Sequence, residues 1–80
     1  MKKYYYSLVV SVIDKYENRW TSIEVTGGNN KKEIYKQRTV LKADIKAGKY
    51  DKYANRDNGE YLRADIEVHD DDGYYLLWIE

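Results

Sequence analysis

The amino-acid sequence predicts one α+β domain spanning residues 1–80, with two β-hairpins on either side of a single helix. Apolar and polar residues alternate in segments near each end of the chain, as they do in strands. Glycine, asparagine and aspartate mark turns that bound these segments. Between the pairs of strands, apolar residues recur at helical spacing. A chain of 80 residues has room for one core and no second domain.

The first strand is predicted from Lys3 to Asp14, because β-branched and aromatic residues dominate this segment. Its even-numbered positions form one uninterrupted apolar face, made of Tyr4, Tyr6, Leu8, Val10 and Val12. A polar loop at 14–19 leads into a second alternating strand at 20–25. Gly27 and Gly28 are predicted to end this hairpin, since glycine adopts the positive φ that strand residues avoid.

A helix is predicted over residues 31–47. Its signals are an N-cap, a capping-box carboxylate and a C-terminal stop, at Asn30, Glu33 and Gly48. Residues 41–46 also alternate as a strand does and are similar to residues 62–67, which is the competing interpretation. The capping signals favour the helix, and the similarity is interpreted as coincidence rather than an internal repeat.

A polar loop at 49–59 precedes a third strand at 62–69, and a turn at 71–73 leads into a fourth strand at 74–79. The first and fourth strands are the most apolar, which is typical of strands in the middle of a sheet. They are therefore predicted to lie side by side and parallel. The expected fold is a ββαββ, four-stranded mixed sheet of order 2-1-4-3 with the helix packed on one face, which is a β-grasp-like arrangement.

One short segment supports that topology by resemblance. Asp57-Asn58-Gly59-Glu60-Tyr61, a short strand, and then Asp72-Gly73-Tyr74 resemble the third and fourth strands of the immunoglobulin-binding domains of bacterial protein L. The resemblance covers residues 57–75 and implies the β-grasp fold of that family. The stretch between the second and third strands is longer here than in the family. The family's antibody contacts come mainly from its second strand and helix, where nothing matches, so the resemblance assigns no binding residues.

Charge is segregated along the chain although the formal net charge is zero. Residues 31–56 carry nine basic and three acidic groups, whereas residues 57–80 carry one basic and eight acidic groups. A basic middle could meet nucleic acid, and an acidic end could repel or mimic it. The alternative is that the two segments face each other in the fold and largely cancel.

The residues needed for catalysis or metal binding are not present in a recognisable pattern. The chain has no cysteine and a single histidine, His69, so no nucleophile and base can be paired with conviction. Asp70, Asp71 and Asp72 are consecutive, whereas calcium loops place carboxylates on alternate residues. Gly27 and Gly28 precede a helix, but a turn is the better interpretation because Glu33 would oppose a phosphate. We therefore expect no enzyme activity, cofactor or metal.

The most informative pattern is a candidate binding face on the sheet. If the even-numbered residues of the first strand face the helix, the other side of the sheet would carry a continuous apolar surface. Its expected members are Tyr5, Val9, Ile13, Trp20, Tyr61, Tyr74, Leu76 and Trp78. Tyrosine and tryptophan are enriched in protein interfaces, so this face predicts a protein partner or a homodimer. The alternative is that these side chains only stabilise neighbouring strands.

The second-ranked hypothesis is a nucleic-acid-binding accessory protein that uses the basic segment 31–56. Basic side chains that alternate with aromatic ones can contact phosphates and stack on bases. The candidate residues are Lys42, Lys46, Lys49, Tyr50, Tyr53 and Arg56. The zero net charge of the whole chain places this hypothesis below protein binding.

The sequence thus favours a small, non-enzymatic protein-binding module. Its size and lack of catalytic motifs suit a phage or mobile-element inhibitor of a host protein, of the anti-defence or anti-CRISPR type. The apolar run at 8–10 is too short for a signal peptide and no segment is long enough to span a membrane, so we expect a cytoplasmic location without membrane contact, in the host cytoplasm if the chain is phage-encoded.

Overall fold

Four strands and one helix make up the fold. The computed structural model describes residues 3–73 and 75–79, the last three of them by backbone alone. The elements are β1 (Tyr5–Ile13), β2 (Arg19–Gly28), α1 (Lys31–Lys46), β3 (Tyr61–His69) and β4 (Tyr75–Ile79), with short 3₁₀ turns at Asp51–Tyr53 and Arg56–Asn58. The predicted α+β class, with two hairpins around one helix, is confirmed.

The strand order of the sheet is β2-β1-β3-β4, and every neighbouring pair is antiparallel. The predicted order 2-1-4-3, with the first and fourth strands parallel in the centre, is wrong. β1 and β3 are the central pair and match across nine positions, whereas β4 pairs with β3 only over 66–69. The prediction failed because β3 carries charged residues at alternate positions, which resembles the pattern of an edge strand. One of those residues, Asp65, is fully buried.

The helix forms where the capping pattern predicts it. The side chain of Asn30 accepts a hydrogen bond from the Glu33 amide at 3.2 Å, which satisfies one of the unpaired donors of the first turn. Residues 39–46 are helical, so the competing strand interpretation is excluded. Gly48 has a φ of +88° directly after the C-cap, a conformation that favours glycine.

The core lies between α1 and the even-numbered face of β1, as predicted. Alternate residues of β1 and β3 meet two buried residues of the helix that lie two turns apart. The buried cluster consists of Leu8, Val10, Val12, Ile34, Leu41, Leu62, Ala64 and Ile66. Tyr50 and Ala54 from the loop after the helix pack against its margin.

Both edge strands contain register shifts, each of which adds a residue that has no partner. In β2, Val25 is the extra residue in one shift and Trp20 in the other. In β4, Leu76 is the extra residue, so that Tyr75 pairs with His69. Gly27 and Gly28 do not end the hairpin as predicted, because both continue β2 against β1. Beyond an extra residue, odd- and even-numbered side chains exchange faces of the sheet. Residue number alone therefore cannot show which face a side chain occupies near the ends of these strands.

The core assignment can be tested with two neighbouring aliphatic residues of α1. Leu41 is 2% exposed and Val40 is 56% exposed. Leu41→Ala should lower the free energy of unfolding by about 2–5 kcal/mol, because it leaves a cavity beneath the helix. Val40→Ala should change it by less than about 0.5 kcal/mol. Urea unfolding followed by circular dichroism measures both, and similar losses in the two variants would contradict the assigned packing.

Candidate functional site

The side of the sheet opposite α1, here called the open face, is polar rather than apolar. It carries the odd-numbered residues of β1 and β3 and their register partners on β2. The residues whose side chains carry hydrogen-bonding groups are Tyr5, Ser7, Ser11, Arg19, Ser22, Glu24, Tyr61, Arg63, Asp65, Glu67 and His69. The expectation of a continuous apolar patch on this face is therefore wrong.

Two members of the predicted patch are buried and offer almost no exposed surface of their own. Val9 is 2% exposed and Ile13 is fully buried. Val9 lies between Glu24 and Asp65 in register, and Ile13 lies between Arg19 and Tyr61. Side chains from the two adjacent strands therefore flank these aliphatic residues on both sides, and both residues are shielded from water.

A buried charge cluster lies at the centre of the open face. Asp65 is fully buried, and its carboxylate accepts hydrogen bonds from Ser11 Oγ at 2.6 Å and from Arg63 Nε and Nη2 at 2.7 and 2.9 Å. The two-point contact with the guanidinium offsets much of the cost of removing the carboxylate from water. Because the carboxylate is enclosed and already paired, it serves structure rather than chemistry with a substrate.

A second ion pair spans the open face. The guanidinium of Arg19 on β2 binds the carboxylate of Glu67 on β3. Arg19 lies opposite Ile13 and Glu67 lies opposite Ser7, so the pair joins positions near the two ends of β1. The two side chains can meet across that length of β1 because the sheet curls around the open face.

Tyr5 crosses the open face towards β2. Its hydroxyl donates a hydrogen bond to Glu24 Oε1 at 2.9 Å, and Ser7 Oγ donates to the same oxygen at 2.8 Å. The bond to Glu24 raises the pKa of the Tyr5 phenol above its usual value, and burial and the charge of Glu24 act in the same direction. The ring lies over Gly27, where a Cβ atom would overlap the Tyr5 hydroxyl.

Three rings adjoin one another where β1 begins and β3 ends. The centroid of the His69 ring lies 6.3 Å from that of Tyr5 and 5.7 Å from that of Tyr75, the latter in an edge-to-face arrangement. His69 Nε2 also lies 3.4 Å from a carboxylate oxygen of Glu67. Regular alternation with Tyr74, Leu76 and Trp78 would place Tyr75 on the helix side, and the extra residue Leu76 is what brings it to the open face.

The turn between β3 and β4 adds carboxylates beside these rings. Asp70 accepts a hydrogen bond from the Asp72 amide, and Asp71 accepts one from the Lys3 amide, which ties the turn to the start of β1. We call this region the aromatic–acidic end, consisting of Tyr4, Tyr5, His69, Asp70, Asp71, Asp72, Tyr75 and Leu76. It adjoins two surface depressions, one on the open face and one bounded by Tyr4, the turn and Leu76.

The remaining members of the predicted patch are scattered. Trp20 is 63% exposed, but it borders a depression formed by residues 51–57, at the opposite end of the sheet. The Tyr61 hydroxyl donates to Glu17 at 2.7 Å near that same end. Tyr74 lies outside the described residues, and so does the side chain of Trp78, whose backbone pairs with Glu67. Of the predicted residues whose side chains the structure describes, Tyr5 and Leu76 belong to the aromatic–acidic end.

The predicted nucleic-acid-binding residues are on the surface, but their charges are partly neutralised. Lys42 and Lys46 are exposed on α1. Lys49 Nζ lies 3.1 Å from Asp44, and Arg56 lies 3.3 Å from Asp51. The two tyrosines, Tyr50 and Tyr53, adjoin each other with ring centroids 6.3 Å apart, and the first packs against the core.

The sequence did not single out Glu24, Glu67 or Tyr75 as site residues. The alternating carboxylates of β3 and the single carboxylate of β2 were an available signal, but their meaning depends on the antiparallel pairing of both strands with β1. In the part of the chain that the structure describes, no three histidine or carboxylate side chains converge as metal ligands would. The rings and carboxylates gathered here can make stacking, cation–π and hydrogen-bond contacts.

Comparison of the chain with protein-family models, with curated proteins and with solved structures finds no match. Within residues 3–73 and 75–79, no helix has the length and apolar character needed to cross a membrane.

The buried charge cluster predicts an unequal response to two aspartate substitutions. Asp65→Asn should lower the free energy of unfolding by about 3 kcal/mol, because it leaves the Arg63 guanidinium without its counter-charge. Asp72→Asn, in the exposed turn, should change it by less than about 0.5 kcal/mol. Chemical denaturation measures both values. Combining Asp65→Leu with Arg63→Met should cost less than Asp65→Asn alone, and equal losses in the two asparagine variants would contradict the role of the cluster.

The Tyr5 hydroxyl predicts a pH dependence in the alkaline range. Because the folded pKa is raised, the bond to Glu24 stabilises the fold below the unfolded value of about 10, and this contribution is lost as the pH rises through the folded pKa. The difference in tyrosinate absorbance between the natural chain and Tyr5→Phe should therefore have a midpoint above about 10. A midpoint at or below the unfolded value would contradict the hydrogen bond.

Proposed function

We propose that this chain is a non-enzymatic protein-binding module and that the aromatic–acidic end is its contact surface. One observation carries the proposal: four large exposed side chains, Tyr4, Tyr5, Tyr75 and Leu76, gather at this end with exposures of 38–47%. His69 joins the rings of Tyr5 and Tyr75, and Leu76 shares a depression with Tyr4. Asp70 and Asp71 line both this depression and the one on the open face, so the two groups are neighbours.

Physical chemistry favours a protein partner for such a surface. Exposing several neighbouring large apolar side chains is unfavourable for a monomer, and such patches mark interaction sites. Tyrosine offers a large contact area with few rotatable bonds, so little conformational entropy is lost when it becomes ordered in a complex. The carboxylates at 70–72 provide a charged rim, which contributes to the choice of partner more than to affinity.

The same carboxylates argue against nucleic acid at this surface. Binding to DNA or RNA gains most of its affinity from cations that replace counterions around phosphates. Three consecutive aspartates beside the rings would repel those phosphates. The nucleic-acid hypothesis is therefore confined to α1 and the following loop, where Lys49 and Arg56 are already paired with carboxylates. Inhibition of a host protein by a phage or mobile element stays a prediction from size and motif content.

Photo-crosslinking at matched tyrosines tests the proposed surface. Tyr75 and Tyr53 are both exposed, at 47% and 39%, and lie at opposite ends of the sheet. A benzoylphenylalanine introduced at 75 in living cells should crosslink to a specific protein, whereas the same group at 53 should not. Nuclease treatment should not change the result. Crosslinks from position 53 alone, or from neither position, would contradict the proposal.

Substitution of the same pair gives the energetic test. Tyr75→Ser should weaken binding of the crosslinked protein at least tenfold, since a central aromatic residue of an interface contributes about 2 kcal/mol or more. Tyr53→Ser should have less than a twofold effect. Light scattering coupled to size-exclusion chromatography identifies the case in which the partner is a second copy. Equal effects of the two substitutions would place the contact surface elsewhere.

A further inference from the structure

The depression on the open face has a floor of small side chains. Ser7 and Val9 of β1 and Ser22 of β2 line it, and the first two are 5% and 2% exposed. Longer side chains stand around them, with Glu24 on one side and Glu67 and His69 on the other. Small residues at the middle of a curled sheet between longer residues at its flanks leave a recess that a side chain can enter.

The lining of this depression is strongly acidic. Glu24, Glu67, Asp70 and Asp71 contribute four carboxylates, and none of the described lining residues is lysine or arginine. Arg19 pairs with one of the four, Glu67, from outside the lining. An anionic ligand would be repelled by the remaining charge, so the occupant must be neutral or cationic.

Aromatic rings beside the carboxylates favour an organic cation. Tyr5 and His69 line the depression, the ring of Tyr75 contacts His69 edge-to-face, and both tyrosines are partly exposed. The faces of tyrosine rings attract ammonium and guanidinium groups. A divalent metal ion is disfavoured, because the described carboxylates do not converge as metal ligands.

We infer that this depression receives an arginine side chain from the protein partner. A guanidinium group is planar, so it can stack on a tyrosine ring while donating two hydrogen bonds to a carboxylate. Arginine is enriched at protein interfaces, whereas lysine is depleted from them. The inference rests on the proposed function, because it names the chemistry by which the aromatic–acidic end recognises its partner.

An NMR titration tests the chemistry without a partner. The probe is N-acetyl-arginine methylamide, and the control is N-acetyl-citrulline methylamide, which has a similar shape but no charge. The arginine compound should shift the backbone amides of Glu24, Glu67, His69 and Asp70 in a saturable manner, and the citrulline compound should not. Equal shifts from both compounds, or shifts confined to other parts of the chain, would overturn the inference.

Matched charge variants distinguish binding at this depression from non-specific attraction of a cation to an acidic protein. Asp70→Asn with Asp71→Asn keeps the amide oxygens that can accept the turn's hydrogen bonds and removes two charges beside the depression. Asp51→Asn with Asp57→Asn removes two charges at the opposite end. The first pair should weaken arginine binding at least fivefold, and the second pair less than twofold. Equal weakening would show non-specific attraction and overturn the inference.

The crosslinked partner distinguishes this inference from the proposed function. If Tyr75→Ser weakens partner binding but the 70/71 double variant does not, protein binding at this end stands and the arginine site is overturned. If the arginine compound binds as expected but no protein crosslinks at position 75, the site stands as a cation-binding depression and the proposed function fails. If no protein crosslinks at position 75 and the arginine compound does not bind, both the proposed function and the arginine site are rejected.

Discussion

The pairing of Asp65 with Arg63 and Ser11 is the interaction on which the arrangement of the sheet depends. The carboxylate is fully buried, yet both of its oxygens accept hydrogen bonds. A one-residue slip of β3 against β1 would turn Asp65 and Arg63 together towards α1, where the carboxylate would lose Ser11 and the charged pair would enter an apolar core. The cluster therefore selects a single register for the central pair of strands. That register also places Glu67 and His69 on the open face, where the depression forms.

Local features of the fold could be predicted from sequence, whereas the strand order could not. The cap at Asn30, the left-handed Gly48 and the apolar even face of β1 depend on neighbouring residues, which a single sequence displays directly. The predicted strand order depended on β3, where charged residues alternate with apolar ones. We interpreted that alternation as a face exposed to water. Asp65 and Arg63 satisfy each other inside the sheet, so the same pattern belongs to a central strand.

The prediction of the binding face was only partly correct, because it too ignored the contacts between adjacent strands. Tyr5 and Leu76 are exposed as expected, but Val9 and Ile13 are buried between side chains from the adjacent strands. Assigning faces by odd and even residue number was also wrong where a strand contains an extra residue. Tyr75 reaches the open face only through such a register shift. Extra residues leave no clear signature in one sequence, since they are determined by the partner strand and by the curl of the whole sheet.

The irregular edges of the sheet have a consequence for the behaviour of the protein at high concentration. Its formal net charge is zero, so molecules gain little protection from mutual electrostatic repulsion, and it carries ten tyrosines and two tryptophans. Straight edge strands on such a chain would offer a template for fibrous growth. The displaced residues Trp20 and Val25 in one edge and Leu76 in the other interrupt the regular spacing of backbone donors and acceptors that an incoming strand would need. The geometry of the sheet edges, rather than net charge, is therefore the feature of this chain that opposes edge-to-edge association.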